Sequence, residues 1–258
     1  MIQCYMIADA TQSVERGEYT MFPNGFSGVF FNFGNTGSII VKEEYRTPAV
    51  SVFGQIDRHF TAVHWPGFYS IGVLVKPWAL SALLKIDMAE ITNRSVDGVL
   101  IDKTFKTLHD QLAETSVPGG MSAGIAQQLS ILEQFFINRF NFHERGLTHH
   151  AIDMLATHPN FGIEKISSEL GVSQRHLEIK FRREVGVSPK TYSLIMRFKK
   201  MEEQLRVMPA VRWRDMSFAH DYHDQNHFIK DFKRFTGHTP SDYLLNTFEI
   251  GRAYLSAR

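Results

Sequence analysis

Two periodicities divide this chain. Up to about residue 78 the apolar residues come in short bursts rich in Phe, Val, Ile and Gly, whereas after about residue 124 they recur at helical spacing. In the first part, stretches 28–33, 38–41, 50–56 and 71–75 read as strands, separated by Asn24-Gly25, Gly34-Asn35 and Pro66-Gly67 turn chemistry. Stretches 79–88 and 105–113 read as short helices appended to this mostly antiparallel β unit. From 124 to 141, Ile125, Leu129, Leu132, Phe136 and Phe140 form an apolar stripe on a helix about 27 Å long. Such a stripe packs on its own unit or forms a homodimer seam. The polar run 141–146 (NFHERG) ends in Gly and suits a hinge, which divides the chain into 1–146 and 147–258.

The second part contains an internal repeat. Phe181, Gly186, Ser188, Pro189 and Tyr192 return as Phe232, Gly237, Thr239, Pro240 and Tyr243, each displaced by 51 residues. Ile163, Ile166 and Leu170 make the apolar face of a short helix, Gly171 the turn, Ser173 the cap, and Leu177 and Phe181 the inner face of a second helix. Helix, tight turn and capped helix make a helix-turn-helix, here over about 163–185. A second unit over about 213–236 uses Trp213 and Met216, then Asp224 as cap, with Phe228 and Phe232 inward. Gly186 and Gly237 fall where a helix C-terminal Gly belongs, and each is followed by a hydroxyl cap and a first-turn Pro. Between the units, Tyr192, Ile195, Phe198, Met201 and Leu205 mark a helix over about 189–208, roughly 30 Å long, close to the ~34 Å repeat of the B-DNA major groove.

Charge first argues against nucleic acid, because 28 Lys+Arg face 27 Asp+Glu for a net +1. Divided at the hinge, the picture changes: 11 basic and 14 acidic residues in 1–146 give about −3, while 17 and 13 in 147–258 give about +4. A lone Cys4 excludes an internal disulfide framework or a Cys-based zinc site and favours a reducing compartment. The first residues lack a basic segment leading into an apolar core, and no stretch approaches 18 uninterrupted apolar residues. The expectation is a cytoplasmic protein with no membrane partner.

Residues from about 147 to 246 resemble the DNA-binding domain of AraC/XylS transcription regulators. The stretches that carry the likeness are GVSQRHLEIKFRREVGVSPKTY and DQNHFIKDFKRFTGHTPSDY, the second similar to that family's C-terminal signature. The likeness implies two helix-turn-helix units joined by a long helix, double-stranded promoter DNA as partner, and RNA polymerase as a further one. The chain departs from the family where Asp221-Tyr222 replaces a Gly-Phe turn and His220 an apolar residue, which would loosen the second unit.

With Leu177 and Phe181 inward, Arg175, Ile179 and Arg182 face outward, with Glu178 at the edge; with Phe228 and Phe232 inward, Asn226, Lys230 and Lys233 do, with Gln225 and Ile229 flanking. Arg can pair with guanine, Asn or Gln with adenine, Glu with cytosine, and Ile can meet a thymine methyl. The family's base contacts fall on the positions of Arg175, Glu178, Ile179, Gln225, Asn226 and Lys230. Lys180, Arg183, Arg197, Lys199, Lys200 and Arg234 are phosphate candidates or solvated charge.

The fold class is therefore α+β: an N-terminal, mostly antiparallel, cupin-like barrel with appended helices, then an all-α domain. The resemblance implies that the first half binds an effector or dimerises, and IGVLVKPWALSALLKIDMAEITN is similar to a sensor-type domain found beside this DNA-binding module. Phe30, Phe31, Phe33, Phe53, Trp65, Tyr69 and Trp78 would either line an apolar effector pocket or simply fill a β core. Two rival readings are a constitutive dimeric regulator without ligand and a cupin-like metal enzyme. Against the enzyme, His59, His64, His109 and His143 lack the tight His-x-His spacing of metal-binding barrels, and no nucleophile elbow, P-loop or dinucleotide fingerprint occurs. No metal, cofactor or catalytic residue is expected.

Overall fold

The computed structural model describes residues 1–35, 37–40, 44–115, 124–140, 146–207, 213, 217 and 224–243. The first half is built on two antiparallel sheets. One holds, side by side, β1 (Ile2–Ala10), β8 (Phe68–Val75), β3 (Ser27–Gly34), β6 (Val50–Phe53) and β9 (Ser95–Asp97). The other holds β2 (Gly17–Met21), β7 (Phe60–His64), β4 (Ser38–Ile40) and β5 (Glu44–Arg46).

Strand β8 is buried at every position, and its two-residue alternation sorts two environments. Tyr69, Ile71, Val73 and Val75 pack with Val29, Phe31, Val50 and Val52 against helices. On the opposite face, Phe68, Ser70 and Leu74 join Gly28, Phe30 and Asn32 in lining a cavity shared with the second sheet. A Cβ on Gly72 would lie 2.3 Å from the Phe30 ring, so this Gly is what lets that ring lie flat on the sheet. Ser70, Gly72 and Gly28 interrupt the bulky residues of this second face, whereas the helical face has no such interruption.

The helical side comprises α1 (Pro77–Leu84), a 3-10 turn (Met88–Ile91), α2 (Gly98–Ile101), α3 (Thr104–Glu114) and α4 (Ile125–Arg139). The expected helix over 79–88 is two pieces. Lys85 takes a left-handed φ of 55°, and Asp87 restarts the chain by accepting from the Ala89 N–H at 2.9 Å, a cap that competes with helix continuation. Leu132, Phe136 and Phe140 of the expected stripe are buried in this unit's own core against Phe105, Leu108 and Leu112. Each such side chain stabilises by roughly 1.5–3 kcal/mol. Three of the five stripe residues thus pack within their own unit, with Ile125 and Leu129 partly exposed.

The second half is helical: α5 (Leu147–Thr157), α6 (Ile163–Glu169), α7 (Gln174–Val185), α8 (Pro189–Val207) and α9 (Gln225–Thr236). Its core threads α8 between the repeats, with Tyr192, Ile195, Phe198, Met201 and Leu205 meeting Leu177 and Phe181 on one side and Phe228 and Phe232 on the other. Trp213 stacks at a tilt near Phe228 and Phe232. Met216, His220 and the Asp221-Tyr222 turn lie outside the described residues. Gly186 (φ 99°) and Gly237 (φ 81°) close α7 and α9 with left-handed caps, a geometry that penalises any side chain.

The two halves are closely joined. Phe22, from the loop between β2 and β3, is only 8% exposed and belongs to the helical core of the second half, near Phe198 and Tyr243. Lys76 pairs with Asp153 at 3.2 Å, and Trp78 stacks on His149 at 4.4 Å.

Candidate nucleic-acid interface and an internal cavity

Each recognition helix starts on a side-chain cap. Ser173 accepts from the His176 N–H at 3.2 Å, and Asp224 accepts from the Asn226 N–H at 2.9 Å. With Leu177, Phe181 and Val185 buried, α7 leaves Arg175, Glu178, Ile179 and Arg182 exposed. With Phe228, Phe232 and Phe235 buried, α9 leaves Gln225, Asn226, Lys230 and Lys233 exposed. Ile229 is partly buried against the core, whereas Ile179 is 61% exposed. An apolar β-branched side chain in that position faces water with no internal purpose. Beside Lys230, burial pushes the Asp231 carboxyl up, outweighing the opposing charges of Arg234, Arg197, His227 and Lys230.

Several of the phosphate candidates, among them Lys180, Lys199, Lys200 and Arg234, already have partners within the chain. Lys180 pairs with Glu184 at 3.7 Å. Lys199 lies 4.4 Å from the Phe26 ring centre and 3.9 Å from Glu203. Lys200 donates to the Thr157 carbonyl at the end of α5 at 2.8 Å. Arg234, in the last turn of α9, donates to the carboxylate of Asp57 in the first half.

This last contact belongs to a set that sequence reading did not reach. The His59 N–H donates to the Arg234 carbonyl at 3.3 Å, with the His59 ring nitrogen 3.1 Å from the same oxygen. At the equivalent place in the first repeat, Thr92 Oγ1 donates to the Gly186 carbonyl at 2.8 Å. Both recognition helices therefore end on the first half. The two anchoring segments are tied to each other, since the Asn93 N–H donates to the Gln55 carbonyl at 2.8 Å and the Asp57 N–H to Asn93 Oδ1 at 2.9 Å. Burial would raise the Asp57 carboxyl, but the hydrogen bond from Arg58, the charges of Arg234 and Arg58 and the bond to Asn93 together hold it below the usual carboxylate range. Partners so distant along the chain leave no periodic trace.

The cavity between the sheets, with its open mouth, holds about 870 Å³ of empty space. Phe30 and Phe53 of the seven expected aromatics line it. Phe31 and Tyr69 are core, Phe33 stacks on His109, Trp78 stacks on His149, and Trp65 is 42% exposed. Polar groups in the wall are engaged with one another: Asn32 accepts from Ser70 Oγ at 2.7 Å and donates to the Pro48 carbonyl and Ser51 Oγ. Among the described residues no group of three or more His, Cys, Asp or Glu is arranged to hold a metal, and no helix is long and apolar enough to cross a membrane.

Residues 166–246 match the helix-turn-helix domain family, and residues 1–97 match a domain of unknown function (DUF6597). No curated protein matches the chain. Solved structures similar to it include ToxT from Vibrio cholerae (13% identity, 90% of this chain and 97% of that one, TM-score 0.47). Another is ToxT from Vibrio cholerae strain SCE256 with an unsaturated fatty acid bound (14% identity, 93% and 95%, TM-score 0.47). A third is the C-terminal domain of AraT, a response regulator from Geobacillus stearothermophilus (20% identity, 40% and 88%, TM-score 0.37). The domain match and the paired capped helices define the class. That class is the DNA-binding transcription regulators. Within it, residues 166–246 of this chain are an AraC-type helix-turn-helix domain.

Proposed function

We propose that the protein reads promoter DNA by setting α7 and α9 into adjacent major grooves, under the control of an N-terminal half, 1–146, that receives a small molecule. The single observation that carries the first part is the pair of capped helices, 51 residues apart in register, whose exposed faces are rich in base-pairing side chains. Arg175, Glu178, Ile179 and Arg182 read one half-site, and Gln225, Asn226, Lys230 and Lys233 the other. Helix α8, 19 residues and about 28 Å long, spaces them near the ~34 Å groove repeat. A net charge of about +4 on the second half makes base-edge contacts carry more of the affinity than phosphate contacts.

An internal cavity with an apolar wall supports a receiving role for the first half over metal chemistry. RNA polymerase is the protein partner this reading requires. A homodimer through α4 would use its outer face, including Ser130, Glu133 and Ile137, because Leu132, Phe136 and Phe140 of the inner stripe are buried.

The test uses the full chain, because Phe22 of the first half completes the core of the second. Genomic fragments selected by the protein should share a bipartite site. Arg175→Ala and Asn226→Ala should each lower affinity by about 1–3 kcal/mol and relax preference in a different half of that site. Unchanged affinity and preference in both variants would remove the assignment.

A further inference from the structure

The cavity and the DNA-binding half share walls. On one side, the loop between β2 and β3 presents Asn24 and Phe26 to the cavity. The same loop sends Phe22 into the helical core, rests the Phe26 ring under Lys199 of α8, and accepts at the Gly25 carbonyl from the Tyr192 hydroxyl at 3.4 Å. On the other side, Gly54, Ile56 and Phe60 line the cavity, and the turn between Ile56 and Phe60 carries Asp57 and His59 to Arg234. Two short segments of the cavity wall, one with Asn24 and Phe26 and one with Gly54, Ile56 and Phe60, thus lie within a few residues of contacts with α8 or α9.

The wall also specifies what can enter. The space that the centre of a water-sized sphere can reach within the cavity is about 110 Å³, of the order of the ~150 Å³ apolar cavity that holds a benzene ring. Met21, Phe30, Ile39, Phe53, Phe60 and Leu74 dominate it, and among the described residues no charged side chain lines it. A carboxylate, phosphate or ammonium group would lose its hydration there without gaining a counter-charge, which costs several kcal/mol. Behind the wall, fully buried Gln55 donates to Ser27 Oγ, a cavity hydroxyl, at 3.2 Å, and its Oε1 has no protein partner among the described residues.

We infer that the cavity takes an uncharged, largely apolar small molecule, and that the Asp57–His59 turn transmits its presence to α9 through Arg234. The inference rests on the regulator reading above and adds the ligand's chemical class and the route of its signal. A ligand that fills the space between Phe53, Ile56 and Phe60 shifts the turn that those residues bracket. Because that turn is hydrogen-bonded to Asn93, next to Thr92, the same shift reaches the Gly186 end of α7.

The experiment uses two probes with the same ring system, uncharged N-phenyl-1-naphthylamine and its sulfonated counterpart 8-anilinonaphthalene-1-sulfonate, on the full chain. The neutral probe should bind one per chain with blue-shifted emission, at least about tenfold tighter than the sulfonate, and Ala62→Phe should displace it without changing the circular dichroism spectrum. Equal or tighter binding of the sulfonate, or saturation of neither, overturns the ligand class, as does undiminished binding in both Ala62→Phe and Ala8→Phe. DNA affinity without probe is measured first on the selected genomic fragments, and its absence would sink the regulator reading alone. With probe at saturation that affinity should change about fivefold or more in the native chain and less than twofold in Asp57→Asn, which should still bind the probe. An equal response in the two proteins overturns the proposed route.

Discussion

Replacing Phe22 by Ala perturbs the DNA-binding core from a loop that belongs, in sequence, to the other half. Its ring is 8% exposed, stands edge-on to Phe198 at 6.3 Å between centroids and tilts over Tyr243 at 5.9 Å. Truncating a buried Phe costs about 3–5 kcal/mol, the transfer term plus the cavity left behind. A loop can settle into part of that cavity, so the lower end, about 3 kcal/mol, applies. In a chain of this size a loss of that order lowers Tm by about 6–12 °C. Urea unfolding of the full chain, followed by the fluorescence of Trp213 beside Phe228 and Phe232, reads the second half directly. Amide exchange along α8 should speed up in parallel, and Phe22→Leu should recover most of the loss. A loss below about 1 kcal/mol with unchanged exchange in α8 would refute the claim that this loop completes the helical core.

Other consequences can be measured separately. Asp57 has a lowered carboxyl pKa, so its contribution to joining the halves is complete above the unfolded value of about 4 and disappears only as pH falls below it. DNA affinity should therefore show no Asp57-dependent step between pH 6 and 8, and a step in the native chain that Asp57→Asn removes would contradict the sign. Gly186→Ala should cost about 1–3 kcal/mol, because φ is 99° and the new Cβ would stand 2.6 Å from Thr92 Oγ1 and 2.9 Å from the Met88 carbonyl; an unchanged Tm would show that α7 is not seated there. Ile179→Ser should leave stability within about 0.5 kcal/mol while weakening preference at one base step, and a large stability loss would mean that Ile179 packs on protein instead.

The second half was largely legible because its information is local. Caps at Ser173 and Asp224, inward Phe181 and Phe232, and closing Gly186 and Gly237 are set by neighbours within a turn or two, and the repeat states them twice. The first half was legible only where a strand is buried on one face with bulky residues. Strand β1 mixes exposed Cys4 and Gln3 with half-buried neighbours and shows no clean alternation, and β2, β5, β7 and β9 are short. The aromatic residues of the first half marked core more than cavity, since small cavity residues such as Ser70, Ser27 and Gly28 follow a pattern that resembles ordinary strand punctuation. Contacts such as Asp57 with Arg234, 177 positions apart, depend on how whole units dock and leave no mark in local spacing.

The ends of α7 and α9, at Gly186 and Arg234, rest against two segments that are hydrogen-bonded to each other. On the proposed reading, the first half would act as a caliper for the two helices. It would set the separation and tilt at which two half-sites are compared. Grafting the second half onto an unrelated first half would preserve the bases preferred within each half-site while widening the range of spacings tolerated between them. Operator spacing, on this view, is a property encoded largely outside the DNA-binding domain.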